Sequence, residues 1–459
     1  MSNNKLGSSY RDPSGFIFYK EAEIYRQIHH SYKNNYDVLM HSGLYQHLVS
    51  SGYLIPHTET NLPLEIGVYK IIKPKLVPFI SYPYEWCFSQ LKAAALLTLK
   101  IQKTALQFGM SLKDATAFNI QFLGNSPILI DTLSFEKYNE GEPWVAYKQF
   151  CEHFLAPLAL YAFTDERLNK LSLAHINGIP LDLAAKLLPF SAKLKPTIFL
   201  HIILHAKSQR KHSSSSLQST KKTSFSMNAF QGLLDNLETF IEKLSWKSNS
   251  TAWGDYYNQK TCHSYNQAAL LSKKNLVSKF LEIAKTKTLW DIGANAGVFS
   301  RLAAKKGISV ISMDFEADVI EQSYHVNKKE GIINILPLVI DLINPSPSIG
   351  WHNQERDSIF NRPLPDTILA LALVHHLAIT NNVPLPMIAK FFSELGEKLI
   401  IEFVPKEDRQ TQILLQNRED IFDFYTEKDF ELEFSRFFNI IKKETIPDSK
   451  RSLYVMIKK

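Results

Sequence analysis

The hydrophobic and polar positions of this chain change their period near its middle. From Thr288 onward, short β-branched runs alternate with helix-length amphipathic stretches: TLWDIG then GVFSRLAAKK, ISVISMD then ADVIEQSYHVNKK, INILPLVID, DTILALAL, VPLPMIAKFFSELG and EKLIIEFV. Such alternation predicts a parallel sheet covered on both faces, because each crossover lays a helix on the sheet. The last two runs, FNIIKKETI and RSLYVMIKK, have only the turn-rich PDSK between them and predict an antiparallel hairpin. The expectation for this half is α/β: a mostly parallel, seven-stranded sheet ending in that hairpin.

The first half reads differently. GFIFYKEAEIYRQI predicts a hairpin, and SQLKAAALLTLKIQKTALQF (89–108) a helix stopped by Gly109. NIQFL, the turn GNSP and ILID predict a second hairpin, and helical sequence runs from Trp144 to about Leu204. Between the halves lies KSQRKHSSSSLQSTKKTS (207–224), with five Lys or Arg and no acid. A basic, Ser-rich run between apolar segments predicts a linker. The expected organisation is an α+β domain over 1–206, a linker over 207–226 and an α/β domain with a helical lead-in over 227–459.

Composition changes this picture little. At 459 residues two domains are the default. The net charge of +7 resides largely in the basic run, which reads as solvated, with a nucleic-acid or acidic-membrane tether as the alternative. Cys87, Cys151 and Cys262 lie far apart without a CxxC pair, which points away from disulfides and zinc and toward a reducing compartment. No apolar run approaches the roughly 18 residues of a membrane span, and MSNNKLGSSYRDPSG lacks a signal-peptide core. These features predict a cytoplasmic protein with no metal cluster of its own.

Candidate chemistry starts at the first strand of the α/β half. Asp291-Ile-Gly293-Ala294-Asn295-Ala-Gly297 follows a strand and opens a helix. Glycines there let the backbone approach a ligand without a Cβ clash. The nicotinamide pattern GxGxxG is absent. The D-x-G-x-x-x-G spacing resembles instead the S-adenosylmethionine (SAM) loop of class I methyltransferases, whose Rossmann-like sheet also ends in a reversed strand. That resemblance implies a cofactor site of Asp291, Gly293, Ala294, Asn295, Gly297, Asp314, Phe315, Asp341 and Leu342. Asp314, ending the second strand, would accept from the ribose hydroxyls, and Asp341, ending the third, would bind the adenine amino group. Each acid also has a plainer reading as a turn former at a strand end. The fourth strand runs into DTILALALVHHL, so His375 and His376 are candidate bases or pocket wall. Glu402, ending the fifth strand, is a further pocket candidate. Asn344-Pro-Ser-Pro347 is similar to a loop of base-amino methylases but follows the wrong strand and lacks the aromatic, so nucleic acid is not the expected substrate.

In the first half, Asp114, Asn119 and Asp131 are separated by five and twelve residues. Kinase-like enzymes place a catalytic Asp, a metal-binding Asn and a second metal-binding Asp at comparable spacing. The hairpin context agrees, and the expectation is a kinase-like site for Mg-ATP. Against it, no His precedes Asp114, Asp131 is followed by Thr-Leu-Ser, no glycine-rich loop is spelled out, and Lys20, Lys70, Lys73 and Lys75 compete as the phosphate lysine. A degenerate lobe without phosphoryl transfer, or coincidence of spacing, are the other readings.

Across nearly its whole length the chain resembles bacterial SAM-dependent methyltransferases related to the nodulation protein NoeA. The resemblance rests on DPSGFIFYKEAEIYRQI, FISYPYEWCFSQLKAAALLTL, MSLKDATAFNIQFLGNSPILIDTLSFE, DIGANAGVFS, DLINPSPSIGWHNQER, LALALVHHLAITNNVPLP and RSLYVMIKK. It implies methyl transfer to an oxygen or nitrogen of a small-molecule or glycan acceptor. Two alternatives stand beside it. One is a kinase-methyltransferase that phosphorylates and then methylates, similar with reversed domain order to enzymes capping bacterial surface polysaccharides. The other is an N-terminal half that recognises an acceptor without catalysis, with FISYPYEWCF lining a groove or, more plainly, forming core.

Overall fold

The computed structural model describes residues 4–208, 225–247, 267–416 and 418–459. The chain divides into two compact units, Met1–Lys247 with Pro347–Ser358, and Ser248–Ser346 with Ile359–Lys459. Most of the basic run, and Cys262, lie outside the described residues.

The first unit is α+β. Strands β1 (Asn4–Lys5), β2 (Ile17–Lys20), β3 (Glu23–His29), β4 (His57–Glu59) and β5 (Val68–Pro74) form an antiparallel sheet ordered β1-β2-β3-β5-β4. The β2–β3 hairpin turns on Glu21 and Ala22, both at positive φ, which matches the twist of the flanking strands. Helices Lys33–His41 and Leu44–Ser50 connect β3 to β4. Helix Phe88–Gln107 is buried along most of its length, with Leu91, Ala94, Ala95, Leu99 and Ala105 in the core and Gln90, Thr98 and Gln102 buried beside them. Its Gln102 side-chain Oε1 accepts from Leu112 N at 2.7 Å, at the end of β6 (Met110–Leu112), which pairs with β9 (Phe135–Lys137) in a small sheet. Between them β7 (Ile120–Leu123) and β8 (Ser126–Leu129) form the expected hairpin.

Two segments join this unit that the sequence reading assigned elsewhere. Helix Met227–Lys243 was expected to lead into the α/β domain. Its buried stripe of Phe230, Leu234, Leu237 and Ile241 instead packs in the first unit, and Lys103 of helix Phe88–Gln107 pairs with its Asp235 and Glu238. Pro347–Ser358, which falls within the 227–459 span expected to form the α/β domain, likewise belongs to the first unit.

The second unit carries one sheet: β10 (Thr288–Ile292), β11 (Ser309–Asp314), β12 (Ile335–Val339), β13 (Thr367–Ala370), β14 (Lys398–Phe403), β15 (Phe438–Thr445) and β16 (Ser452–Lys458). Their order is β12-β11-β10-β13-β14-β16-β15, parallel from β12 to β14, with β16 antiparallel to both its neighbours. This is the expected mostly parallel, seven-stranded sheet with its terminal hairpin. Central strands are buried on both faces, hence their continuous apolar runs. The edge strand β15 alternates instead, presents Lys443 and is bulged between Ile440 and Lys442, features that blunt an exposed edge. The strand order reverses direction between β10 and β13, which opens a crevice at their carboxyl ends.

Candidate functional site

The crevice is lined first by the loop after β10. Gly293 N and Ala294 N both donate to Met313 O at 2.9 Å, pinning the loop against β11. Gly293 and Gly297 sit at φ +73° and Asn295 at φ 50°. A Cβ on Gly297 would lie 2.5 Å from Ser323 Oγ, so side-chain volume is excluded where helix Val298–Ala304 begins. Asp291 is 2% exposed and accepts from Ser300 Oγ at 2.5 Å, while Ser300 also bonds Ser312. Burial pushes its carboxyl up to about 6 despite that hydrogen bond, and the nearby Asp314 adds to the rise. Asp291 therefore ties the end of β10 to helix Val298–Ala304 through Ser300.

Asp314 ends β11. Its Oδ2 accepts from Asn295 N at 2.8 Å and its Oδ1 from Glu316 N at 3.1 Å, so it fixes the positive-φ turn. Burial raises its carboxyl above the usual range. With Phe315 N as a third backbone donor, the carboxylate keeps acceptor capacity, since it offers about four lone-pair sites. Phe315 beside it is 60% exposed. Asp341 is exposed beyond β12, with Oδ1 accepting from Ile343 N at 2.9 Å, and Leu342 is half-buried. Since Asp314 registers with Val339, Asn295, Asp314 and Asp341 come together at the carboxyl ends of β10, β11 and β12.

Beyond β13, Ala372 at φ 49° donates its N–H to Glu402 Oε2 at 2.9 Å. Glu402 does not face a pocket: it is fully buried, paired with Lys273 at 2.6 Å and with Arg451 at 3.5 Å. Arg451 in turn grips Asp408 through Nε at 2.7 Å and Nη2 at 2.9 Å. Sequence reasoning missed Lys273, Asp408 and Arg451. A signal existed for the first, because Lys273 occupies the buried stripe of helix Gln267–Ile283 together with Ala269 and Val277. The rings of His375 and His376 lie 4.2 Å apart. His375 is 2% exposed with no partner for Nδ1 among the described residues, and burial holds its pKa well below the usual value. His376 is pushed down to about 4 by burial and then by the Arg451 charge.

The fold of the first unit gathers Asp114, Asn119 and Asp131. Asn119 Nδ2 donates to Ser134 Oγ at 3.2 Å, and Ser134 donates to Asp131 Oδ2 at 2.5 Å. Burial and then the Asp131 charge raise the carboxyl of Asp114. The site differs from a metal site in its counter-charge. Arg26 of β3 bonds Asp131 Oδ1 at 2.7 Å and also pairs with Asp12, while Leu133 N donates to the same Oδ1 at 3.0 Å. Lys70 and Lys73 pair instead with Glu59 and Glu23. Among the described residues no three His, Cys, Asp or Glu side chains are placed to share a metal ion. Of the three residues expected to form the Mg-ATP site, Asp131 is therefore paired with a guanidinium.

Pro347–Ser358 packs over the loop containing Asn119. The Arg356 guanidinium lies 4.4 Å from the Phe118 ring centre, Asp357 N donates to Tyr82 Oη at 2.8 Å, and buried Glu355 accepts from Arg11 at 2.6 Å and Tyr10 at 3.1 Å. The aromatics of FISYPYEWCF do not form an open groove: Phe79, Tyr82, Tyr84 and Trp86 are buried.

No protein-family model matches the chain. It is 34% identical over 459 residues, 98% of its own length and 95% of the relative's, to the nodulation protein NoeA of Rhizobium meliloti (strain 1021). The chain belongs to the NoeA family. Solved structures resemble parts of this NoeA-family chain. A Pyrococcus horikoshii OT3 protein covers 44% of it and 98% of itself at 16% identity, TM-score 0.32. The magnesium protoporphyrin IX methyltransferase of Synechocystis PCC 6803 with bound SAM covers 46% and 100% at 13%, TM-score 0.30. The bifunctional kinase-methyltransferase WbdD covers 48% and 45% at 16%, TM-score 0.30. None of the described helices is long and apolar enough to cross a membrane.

Proposed function

We propose that the chain is a SAM-dependent methyltransferase acting on an oxygen or nitrogen of a small molecule or glycan precursor. The observation that carries this reading is the carboxylate of Asp314, fixed by Asn295 N at the crevice where the strand order reverses. An acceptor-only carboxylate suits a ribose diol, which supplies two O–H donors. Asp341 would take the adenine amino group, Phe315 and Leu342 would offer apolar surface to the base, and the Gly293–Gly297 backbone would pass close to the amino-acid part. SAM supplies an electrophilic methyl on a sulfonium sulfur, so alignment of the nucleophile does much of the work. On the chain's side, Asp291 and Gly297 hold the loop, and Glu402 holds the Ala372 turn that precedes the histidine pair. His376, kept neutral by burial, is an acceptor able to orient an acceptor hydroxyl or amine; as a proton sink it is weak.

Calorimetry of the full chain with SAM and S-adenosylhomocysteine tests the reading. Saturable binding is expected, and Asp314→Ala should weaken it by about 1.5–3 kcal/mol, the worth of charge-assisted bonds. Unchanged affinity in the variant would remove Asp314 from the site. For the first unit, Arg26 on Asp131 favours acceptor recognition without phosphoryl transfer. Saturable Mg-ATP binding that disappears in Asp131→Ala would reverse that preference and restore the two-step alternative.

A further inference from the structure

One surface of the first unit inverts the usual relation of polar to apolar groups. Phe190–Lys193 packs on Pro196–Ile198, which runs on into Phe199–Leu204, and Leu181–Leu187 packs on Phe199–Leu204. Their inward side carries polar anchors: His201 bonds Tyr147 Oη at 2.6 Å and Asn236 Oδ1 at 3.0 Å, and Thr197 bonds the same Asn236 at 3.1 Å. Their outward side is apolar. Phe190 is 75% exposed, Leu194 67%, Leu200 51%, and Phe199, Leu204 and Leu187 are exposed as well. Scattered exposed hydrophobics need no explanation, but six within 18 residues do.

The charge along them is mainly positive. Between 181 and 207, Lys186, Lys193, Lys195 and Lys207 accompany the apolar residues against a single acid, Asp182. A protein partner with an apolar interface would not require that excess of lysine. A bilayer carrying anionic headgroups would, because acids near its surface are repelled while each Lys near it is attracted. Apolar side chains in the headgroup region with lysines around them are the pattern of an interfacial anchor. No spanning segment is needed for this.

We propose that this face, centred on Phe190, Leu194, Phe199 and Leu200, binds the surface of an anionic lipid bilayer. The inference is independent of the methyl-transfer reading. The test is sedimentation of the full chain with vesicles of phosphatidylcholine alone or mixed with phosphatidylglycerol, at low and high salt. Binding to the mixed vesicles alone, weakened by salt, is expected. Phe190→Glu with Leu194→Glu should abolish it. Lys186→Gln with Lys195→Gln, which leaves the apolar residues intact, should weaken it at least about tenfold. Both variants alter exposed side chains, and an unchanged far-UV spectrum and melting point would show that they remain folded. Three results would overturn the proposal: no association with either vesicle, association indifferent to headgroup charge, or a dimer in light scattering that the Glu variant dissociates, which would make the face a contact between copies.

Discussion

Lys273→Met should destabilise the second unit through the carboxylate it leaves behind. Lys273 is 1% exposed and Glu402 fully buried, with 2.6 Å between Nζ and Oε2. Removing one partner of such a pair costs about 3–5 kcal/mol, since the other charge stays buried without compensation. Glu402 would keep the Ala372 N–H at 2.9 Å and a distant Arg451 at 3.5 Å. These residual contacts place the expectation at the low end, about 3 kcal/mol. Adding Glu402→Gln removes the stranded charge. The amide oxygen can still accept from Ala372 N, and Arg451 keeps its two bonds to Asp408. The double variant should therefore return to within about 1 kcal/mol of the native protein, leaving a coupling energy of at least about 2 kcal/mol. A chain of two units need not unfold in one step, so the readout should be local. Hydrogen exchange of the β10, β13 and β14 amides reports on this sheet alone. Additive single-variant effects, or a Lys273→Met cost below about 1 kcal/mol, would refute the reasoning.

Asp291 should make the second unit less stable as pH rises. Its folded pKa, about 6, lies above the ordinary 3.8, so between those values the folded state binds more protons than the unfolded one. Its favourable contribution is complete below 3.8 and lost as pH passes through about 6, a fall of roughly 3 kcal/mol. Asp291→Asn should remove that part of the slope in urea unfolding across this window, and an unchanged slope would contradict the assignment. His376 should remain neutral down to about pH 4, and an NMR titration midpoint near 6.5 would contradict its burial beside Arg451. Gly350→Ala should loosen Pro347–Ser358. The residue sits at φ +86° and a Cβ would lie 2.5 Å from that of Glu355, a strain of about 1–3 kcal/mol. Faster exchange at the Asp357 amide would report it, and unchanged exchange would show that the turn tolerates a side chain.

Much of the fold was legible because period reports burial locally. Continuous β-branched runs marked β10, β13 and β14 as doubly covered strands, and PDSK marked the β15–β16 hairpin. The spacing of Gly293, Asn295 and Gly297 marked a tight loop, and Asp314 and Asp341 stood where strands end. Even the gathering of Asp114, Asn119 and Asp131 followed from a hairpin visible in the sequence.

The sequence did not show which charges meet. Arg26 reaches Asp131 across 105 residues, and Lys273, Glu402 and Arg451 converge from three distant elements. These contacts decide that Asp131 carries a guanidinium, that Glu402 is sealed from the crevice, and that the His375–His376 pair stays neutral. The same holds for helix Met227–Lys243 and Pro347–Ser358, whose amphipathic or turn-rich sequences specify a buried face but not the surface that buries it. By itself, then, the sequence determined the elements, their inward faces and the strand-end loops, because backbone propensity and side-chain period act over a few residues. Tertiary structure alone decided the electrostatic partners, since a desolvated charge is set by whatever packing brings within a few ångströms of it.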